Sequence, residues 1–438
     1  MRRAFLTSAR LDHDKITRII VEKAVMLGFT STEYNNGLSY ASVNGNKEMI
    51  QLMIACGADL DAVTYGRIPL ISVSLFSGNV ETVQLMINHG ADVNVPQRNG
   101  TTALQAASFS GSETLVQLLI DYGADVNAQG DSEGTALQAA SSCGNRAVVQ
   151  LLIDHGATVN AQGGDWGTAL QRASSCGNRA VVQLLIDHGA TVNVQGGDRG
   201  TALQRAIRKR NKAVIQLLLD HGADVNAQGG SEGTALQVAT YYGDRAVMQL
   251  LIDHGADVNV KGVHDETVLQ AASSHGNMEV VQLLIDYGTD VNEQGGDRGT
   301  ALQSASLMGH RALAQLLIQH GADVNAKGGK YGTALQAASD WGYEPVVQLL
   351  IEHGADVNAM GGIYGTALQA ASHRGYKTVV QLLIEHGADV NAKGGKYETA
   401  LQAASYWVHE TVTQLLIEHG ADVNALKGHW HIQAIPSN

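Results

Sequence analysis

The chain has 438 residues, 44% hydrophobic but only 5% aromatic, and a formal net charge of -13 at pH 7. So acidic a chain is not expected to hold nucleic acid or an anionic membrane surface by bulk charge, and it lacks the run of about 18 apolar residues that inserts into a bilayer. Its length would ordinarily mean two or three globular domains, but a motif returning every 33 residues points to one array of stacked units.

Residues 1–35 read as a degenerate capping half-unit, because Lys15-Ile16-Thr17-Arg18-Ile19-Ile20-Val21-Glu22-Lys23 falls in register with the second helix of later copies. The start, MRRAFLTSARLDHDK, is basic but has no apolar stretch with a cleavage site, so no signal peptide is expected. Two worn units follow from Asn36 to Thr101: the first opens Asn36-Gly37-Leu38-Ser39, and the second has a register ambiguous by one residue around Ile68-Pro69-Leu70.

From Thr102 the copies are regular, and the stretch from Gly134 to Trp166 shows their parts. Thr135 and Gln138 form a Thr-x-x-Gln capping box, a pattern found in ten copies from Thr102 to Thr399. The first helix, predicted from Ala136 to about Cys143, is rich in Ala and Ser, which permits close approach of a neighbour; Gly144 ends it. The second helix, Arg146 to about His155, carries Val148, Val149, Leu151, Leu152 and Ile153, too apolar for a lone surface helix. Gly156 suits a left-handed stop, and Gly163-Gly164-Asp165-Trp166-Gly167 reads as a projecting glycine-rich turn. Leu151, Leu184 and Leu250 are expected in the core, buried only because neighbouring units cover them. Arg210 and Val408 stand where other copies have the glycine between helices, so there either the turn is rebuilt or something compensates a costly positive φ. Pro345 falls in the first turn of its helix, where proline is tolerated. The tail from Leu426, with His429-Trp430-His431, is expected to fold back over the last unit.

The period, the cap, both glycines and the Gly-Ala-Asp-Val-Asn run (Gly222 to Asn226) resemble the ankyrin repeat, with Thr-Pro-Leu-His-x-Ala rewritten as Thr-Ala-Leu-Gln-x-Ala. The resemblance spans 36–431, twelve units of 33, with 432–438 as a tail. It implies an all-α solenoid of stacked helix-turn-helix units with projecting hairpin-like loops. It also implies a non-catalytic, monomeric scaffold or adaptor that binds another protein through a concave groove and hairpin tips, in the cytoplasm or nucleus. Turns of the type Gln-Gly-Gly-x-Tyr-Gly most resemble fungal arrays. That leaves a second reading, the interaction arm of a NOD-like signalling protein, and a third, an atypical enzyme using the groove as a pocket.

Candidate contact residues are those where the copies disagree. Arg172, Arg199, Arg205, Arg208 and Lys209, with Arg210 and Lys212, form a cationic cluster suited to an acidic or phosphorylated segment. In the last third, Tyr331, Tyr364 and Tyr397 share one tip position, with Trp341, Arg374 and Trp407 near the helix ends. Tyr, Trp and Arg dominate binding hot spots. The cationic cluster can equally be a solvated face balanced by acidic neighbours such as Asp198 and Asp220, and a tyrosine ladder can stack on itself and rigidify the hairpins. The lone Trp166 is expected to pack on its neighbours.

Metal and cofactor sites are not expected. His155, His188, His221 and their equivalents precede the glycine ending each second helix, where a histidine favours the dipole and can bond free carbonyls; side chains one repeat apart cannot converge on one zinc. Cys143 and Cys176 occupy equivalent positions in adjacent units, roughly 8–10 Å apart, beyond the ~7 Å a disulfide tolerates, so Cys56, Cys143 and Cys176 are expected as free thiols. No paired nucleophile and base, and no phosphate loop, stands out.

Overall fold

A computed structural model describes residues 2–11, 14–24, 29–62, 72, 78–97, 100–131, 134–164, 167–196, 200–231, 233–262 and 265–426. These residues contain 25 α-helices and a terminal 3-10 turn, Val423–Leu426, and the β pairing among them is limited to isolated bridges such as Gly328 with Gly332. The fold is therefore an all-α solenoid of helix pairs. The chain divides into two compact units, 1–224 and 225–438.

The first unit opens with a complete helix pair, Arg2–Arg10 and Asp14–Ala24, where the sequence suggested half of one. The next helix, Ser31–Asn44, starts before the Asn36 that the period indicates, because Thr30 and Glu33 supply a capping box there. Gly37 then lies inside the helix and serves packing: a Cβ on it would sit 2.7 Å from Phe5. The stretch around Ile68-Pro69 lies outside the described residues. From Ala103 the pairs repeat cleanly, for example Ala136–Cys143 with Arg146–Asp154 and Ala202–Arg208 with Lys212–Asp220. The second unit carries six pairs, from Ala235–Tyr242 with Arg245–Asp253 to Ala400–Tyr406 with Glu410–Glu418.

Within each unit first helices pack on first helices of the neighbouring repeat and on their own second helix, while second helices touch each other less extensively. Small residues allow this. Ala140 and Ser141 are fully buried, as are Ser174, Ser273, Ser339 and Ser372 at equivalent places. The hydroxyls of these serines find no hydrogen-bond partner, so they act as slightly unfavourable alanines. Burial also corrects the leucine assignment. Leu184 is buried, but Leu151 and Leu250 are only half-buried; Leu152, Leu185 and Leu251, one residue later, are fully enclosed.

Thr102 to Thr366 each cap a first helix with a complete capping box, nine in all. At Thr399 the box is incomplete. There Glu398 replaces the usual glycine at φ 62°, and Thr399 N–H donates to Tyr397 C=O at 2.8 Å. The glutamine also does a second job. Gln138 Nε2 donates to Ala161 C=O (3.0 Å) and Gly167 C=O (2.7 Å), tying its helix to both sides of the next hairpin stem.

A second clamp runs along the Val-Asn positions: Asn127 Nδ2 donates to Gly156 C=O at 3.0 Å, and Asn127 Oδ1 accepts from Thr158 N–H at 2.8 Å. Arg210 and Val408 keep the left-handed turn at φ 54° and 59°, so the backbone is strained there rather than rebuilt. Pro345 sits in the first turn of Glu344–Glu352 as expected.

Candidate protein-interaction site

The cationic cluster belongs to the first unit, and the structure divides it by position in the repeat. Arg172 and Arg205, four residues after their capping threonines, are 3% and 2% exposed. Arg205 Nε donates to Gly200 C=O and Nη2 to Gly196 C=O, both at 3.3 Å, so this guanidinium fastens the hairpin stem. The expectation that Arg172 and Arg205 present charge to a partner is corrected: the fourth position faces inward, and both are enclosed. Arg208 is half-buried and Lys209 exposed at the end of the same helix. Arg199 and Trp166 lie outside the described residues, as do His429-Trp430-His431.

The aromatic residues of the second unit converge on the ends of three first helices, Ala334–Asp340, Ala367–Arg374 and Ala400–Tyr406. His373 is buried and stacks between Tyr364 (4.9 Å between centroids, 26°) and Tyr397 (5.0 Å, 22°). Trp407 meets His373 edge-on at 5.3 Å, and its Nε1–H donates to the Tyr397 hydroxyl at 3.1 Å. Asp340, 1% exposed, accepts from Arg374 Nε at 3.0 Å. Arg374 lies over the Trp341 ring, 5.7 Å from its centroid. Tyr331, Tyr364 and Tyr397 are half-buried, with Lys330 over Tyr331 at 5.8 Å and Lys396 over Tyr397 at 5.3 Å.

Burial lowers the His373 pKa, Arg374 lowers it further, Asp340 opposes, and Lys396 and His409 again lower it. Burial chiefly raises the Tyr364 pKa, helped by Asp340. Both shifts favour the neutral forms, of the His373 imidazole and of the Tyr364 phenol. Above it Trp341, Trp407 and Tyr406 stand 46%, 51% and 69% exposed.

Two further aromatics that sequence places beside this region, Tyr343 half-buried and Tyr376 36% exposed, cover glycines of the preceding repeat. Tyr343 and Tyr376 sit at the starts of their second helices, and their rings press on Gly309 and Gly342, where a Cβ would meet each ring at 2.7 Å. His373 and Asp340 were missed because histidine and aspartate recur throughout the chain. The available signal was their place, seven residues after the threonine, where most copies carry Ser, Arg, Tyr or Leu.

A family model for ankyrin repeats in three copies matches overlapping segments from 38–130 to 361–427, which together run through the regular array. The chain belongs to the ankyrin repeat family. Its array is also similar to the crystal structure of the human ASB11 ankyrin repeat domain, at 26% identity and a TM-score of 0.45, over 50% of this chain and 98% of that one. No curated protein matches it.

Ankyrin repeats generally mediate protein–protein interaction, and neither family nor fold shows a catalytic activity here. The histidine ladder has the structural role that its position suggested: Nδ1 of His155, His188 and His221 pairs with the carbonyl of Leu151, Leu184 and Leu217 at 2.9 Å. All three cysteines are free thiols. The Cys176 pKa is raised, first by burial and then by Cys143, with Lys209 and Arg172 opposing, which disfavours the nucleophilic thiolate. Among the described residues no helix is long and apolar enough to cross a membrane.

Proposed function

We propose that this ankyrin array is a non-catalytic protein-binding scaffold whose partner lies on the second unit, against Tyr331, Trp341, Tyr364, Arg374, Tyr397 and Trp407. The supporting observation is the exposure of Trp341 and Trp407 above a buried layer that holds both in place. Large aromatics at the surface give contact area at low conformational cost, and here stacking and the Arg374–Asp340 pair have already restricted them. Arg208 and Lys209 offer a smaller cationic edge on the first unit; Arg172 and Arg205 support it from inside.

The test is affinity capture with the full chain, comparing wild type with Trp341→Ala/Trp407→Ala. At least one captured partner should be lost while the helical content and melting temperature stay close to wild type. Retention of every partner by that variant would remove the assignment.

A further inference from the structure

Around the candidate site three cations each lie over an aromatic ring: Lys330 on Tyr331, Arg374 on Trp341 and Lys396 on Tyr397. Their backbones are fixed as well. Lys330 N–H donates to Asp297 C=O at 2.7 Å, Ile363 N–H to Lys330 C=O at 3.2 Å, and Lys396 N–H to Ile363 C=O at 3.0 Å, so consecutive tips are joined. The carboxylate bonded to this set, Asp340, is buried and takes Nε of Arg374. The Arg374 side chain is 42% exposed, and among the described residues no acceptor bonds either Nη. Asp297 and Glu398 stand exposed near Lys330 and Lys396, but among the described residues neither lysine forms an ion pair, so these cations stay open to an anion on a chain of net charge -13.

Resting on the protein-binding reading, we propose that the partner segment is an extended acidic peptide. One carboxylate bridges the two Nη groups of Arg374, and flanking carboxylates meet Lys330 and Lys396. Arg374 is suited to this because Asp340 and Trp341 already hold its plane, so little side-chain freedom is lost when the fork closes on a planar anion. Asp340 acts as a positioning residue.

The spacing favours several carboxylates over one phosphate. Lys330 and Lys396 hold the same tip position two repeats apart, with Arg374 on the first helix that lies between them in the chain, so two stacking steps of ~8–10 Å separate the lysines and the three cations cannot close together on a single phosphate group. A chain extended in the polyproline II form advances ~3.1 Å per residue with three residues per turn, which puts the acidic side chains of every third residue on one face, about 9 Å apart. Aliphatic residues between them would cover Trp341.

The experiment is titration of the full chain with a fluorescent synthetic peptide carrying glutamate at every third position. Its isostere with glutamine in those places, and a version with phosphoserine, serve as comparisons. The glutamate peptide should bind at least tenfold more tightly than the glutamine one and weaken steeply with salt. Arg374→Gln should lower its affinity at least tenfold, whereas Arg146→Glu, exposed on the other unit, should not change it.

Should Arg374→Gln unfold the second unit, Lys330→Ala/Lys396→Ala provides an independent variant, since both ammonium groups lie at the surface; a loss of at least fivefold is expected. Equal binding of the glutamate and glutamine peptides, or unchanged affinity in the folded variants, overturns the proposal. Tighter binding of the phosphoserine peptide overturns the choice of carboxylate. A partner lost by Trp341→Ala/Trp407→Ala while no acidic peptide binds would leave the interaction face standing and sink only the acidic guest.

Discussion

Arg205 in the first unit and Arg374 in the second both interrupt a run of small residues on a first helix, and they end in opposite environments. Arg205 is 2% exposed, bonded to backbone carbonyls of its own hairpin stem. Arg374, one helical turn further along its repeat, lies on Trp341 with 42% of its side chain in solvent. The same side chain is a brace in one place and an open donor in the other, and the position within the 33-residue unit decides which.

The second helices differ between the regions in a parallel way. Asn145 and Asn178 cap their helices and donate through Nδ2 to the glycine carbonyl of the preceding repeat at 2.8 and 2.9 Å. In the C-terminal region Tyr343 and Tyr376 make no capping bond and cover the glycine with a ring instead. Polar capping gives way to aromatic packing along the repeat series, and the exposed tryptophans occur where it has done so.

This contrast can be broken most severely at the brace. Arg205→Glu should destabilise the first unit by ~3–5 kcal/mol, because a buried cation bonded to carbonyls becomes a buried anion facing them; urea unfolding measures it. Lys209→Glu, exposed on the same helix, should stay within about 0.5 kcal/mol of wild type. Equal effects for the two would refute the inward assignment of Arg205.

Core leucines should follow burial in the same manner. Leu152→Ala is expected to cost ~2–5 kcal/mol and Leu151→Ala distinctly less, as thermal or urea melts would show. Next comes pH. His373 has a folded pKa below its ordinary 6.5, so between that folded value and 6.5 the unfolded chain binds more protons than the folded one. Stability of the second unit should therefore fall as pH drops below about 6.5, and His373→Gln should flatten that part of the profile. An unchanged slope in the variant would place the pH dependence elsewhere.

A smaller effect, of opposite sign, is expected at the serine column. Ser141→Ala removes a buried hydroxyl without a partner and should raise stability by up to about 1 kcal/mol. A loss instead would mean that the hydroxyl is satisfied in solution.

The period, the ten Thr-x-x-Gln caps and the glycine stops were legible because they are local: each is set by a few neighbouring residues and recurs. They determined the helix pairs, their boundaries from Thr102 onward, and the family. The residues that break the period were legible only as exceptions. Whether Arg172 is enclosed or Trp341 is left in solvent depends on what the adjacent repeat places against it, 33 positions away.

That separation also hid the inter-repeat work of Gln138 and Asn127, whose acceptors lie in the next unit, and the stacking of His373 between two tips. The sequence by itself determined the building block and its order, since propensity and capping act within a few residues. Tertiary structure alone decided which side chains the neighbours bury and which they leave in water, because burial is a property of the stacked pair of repeats and of neither repeat separately.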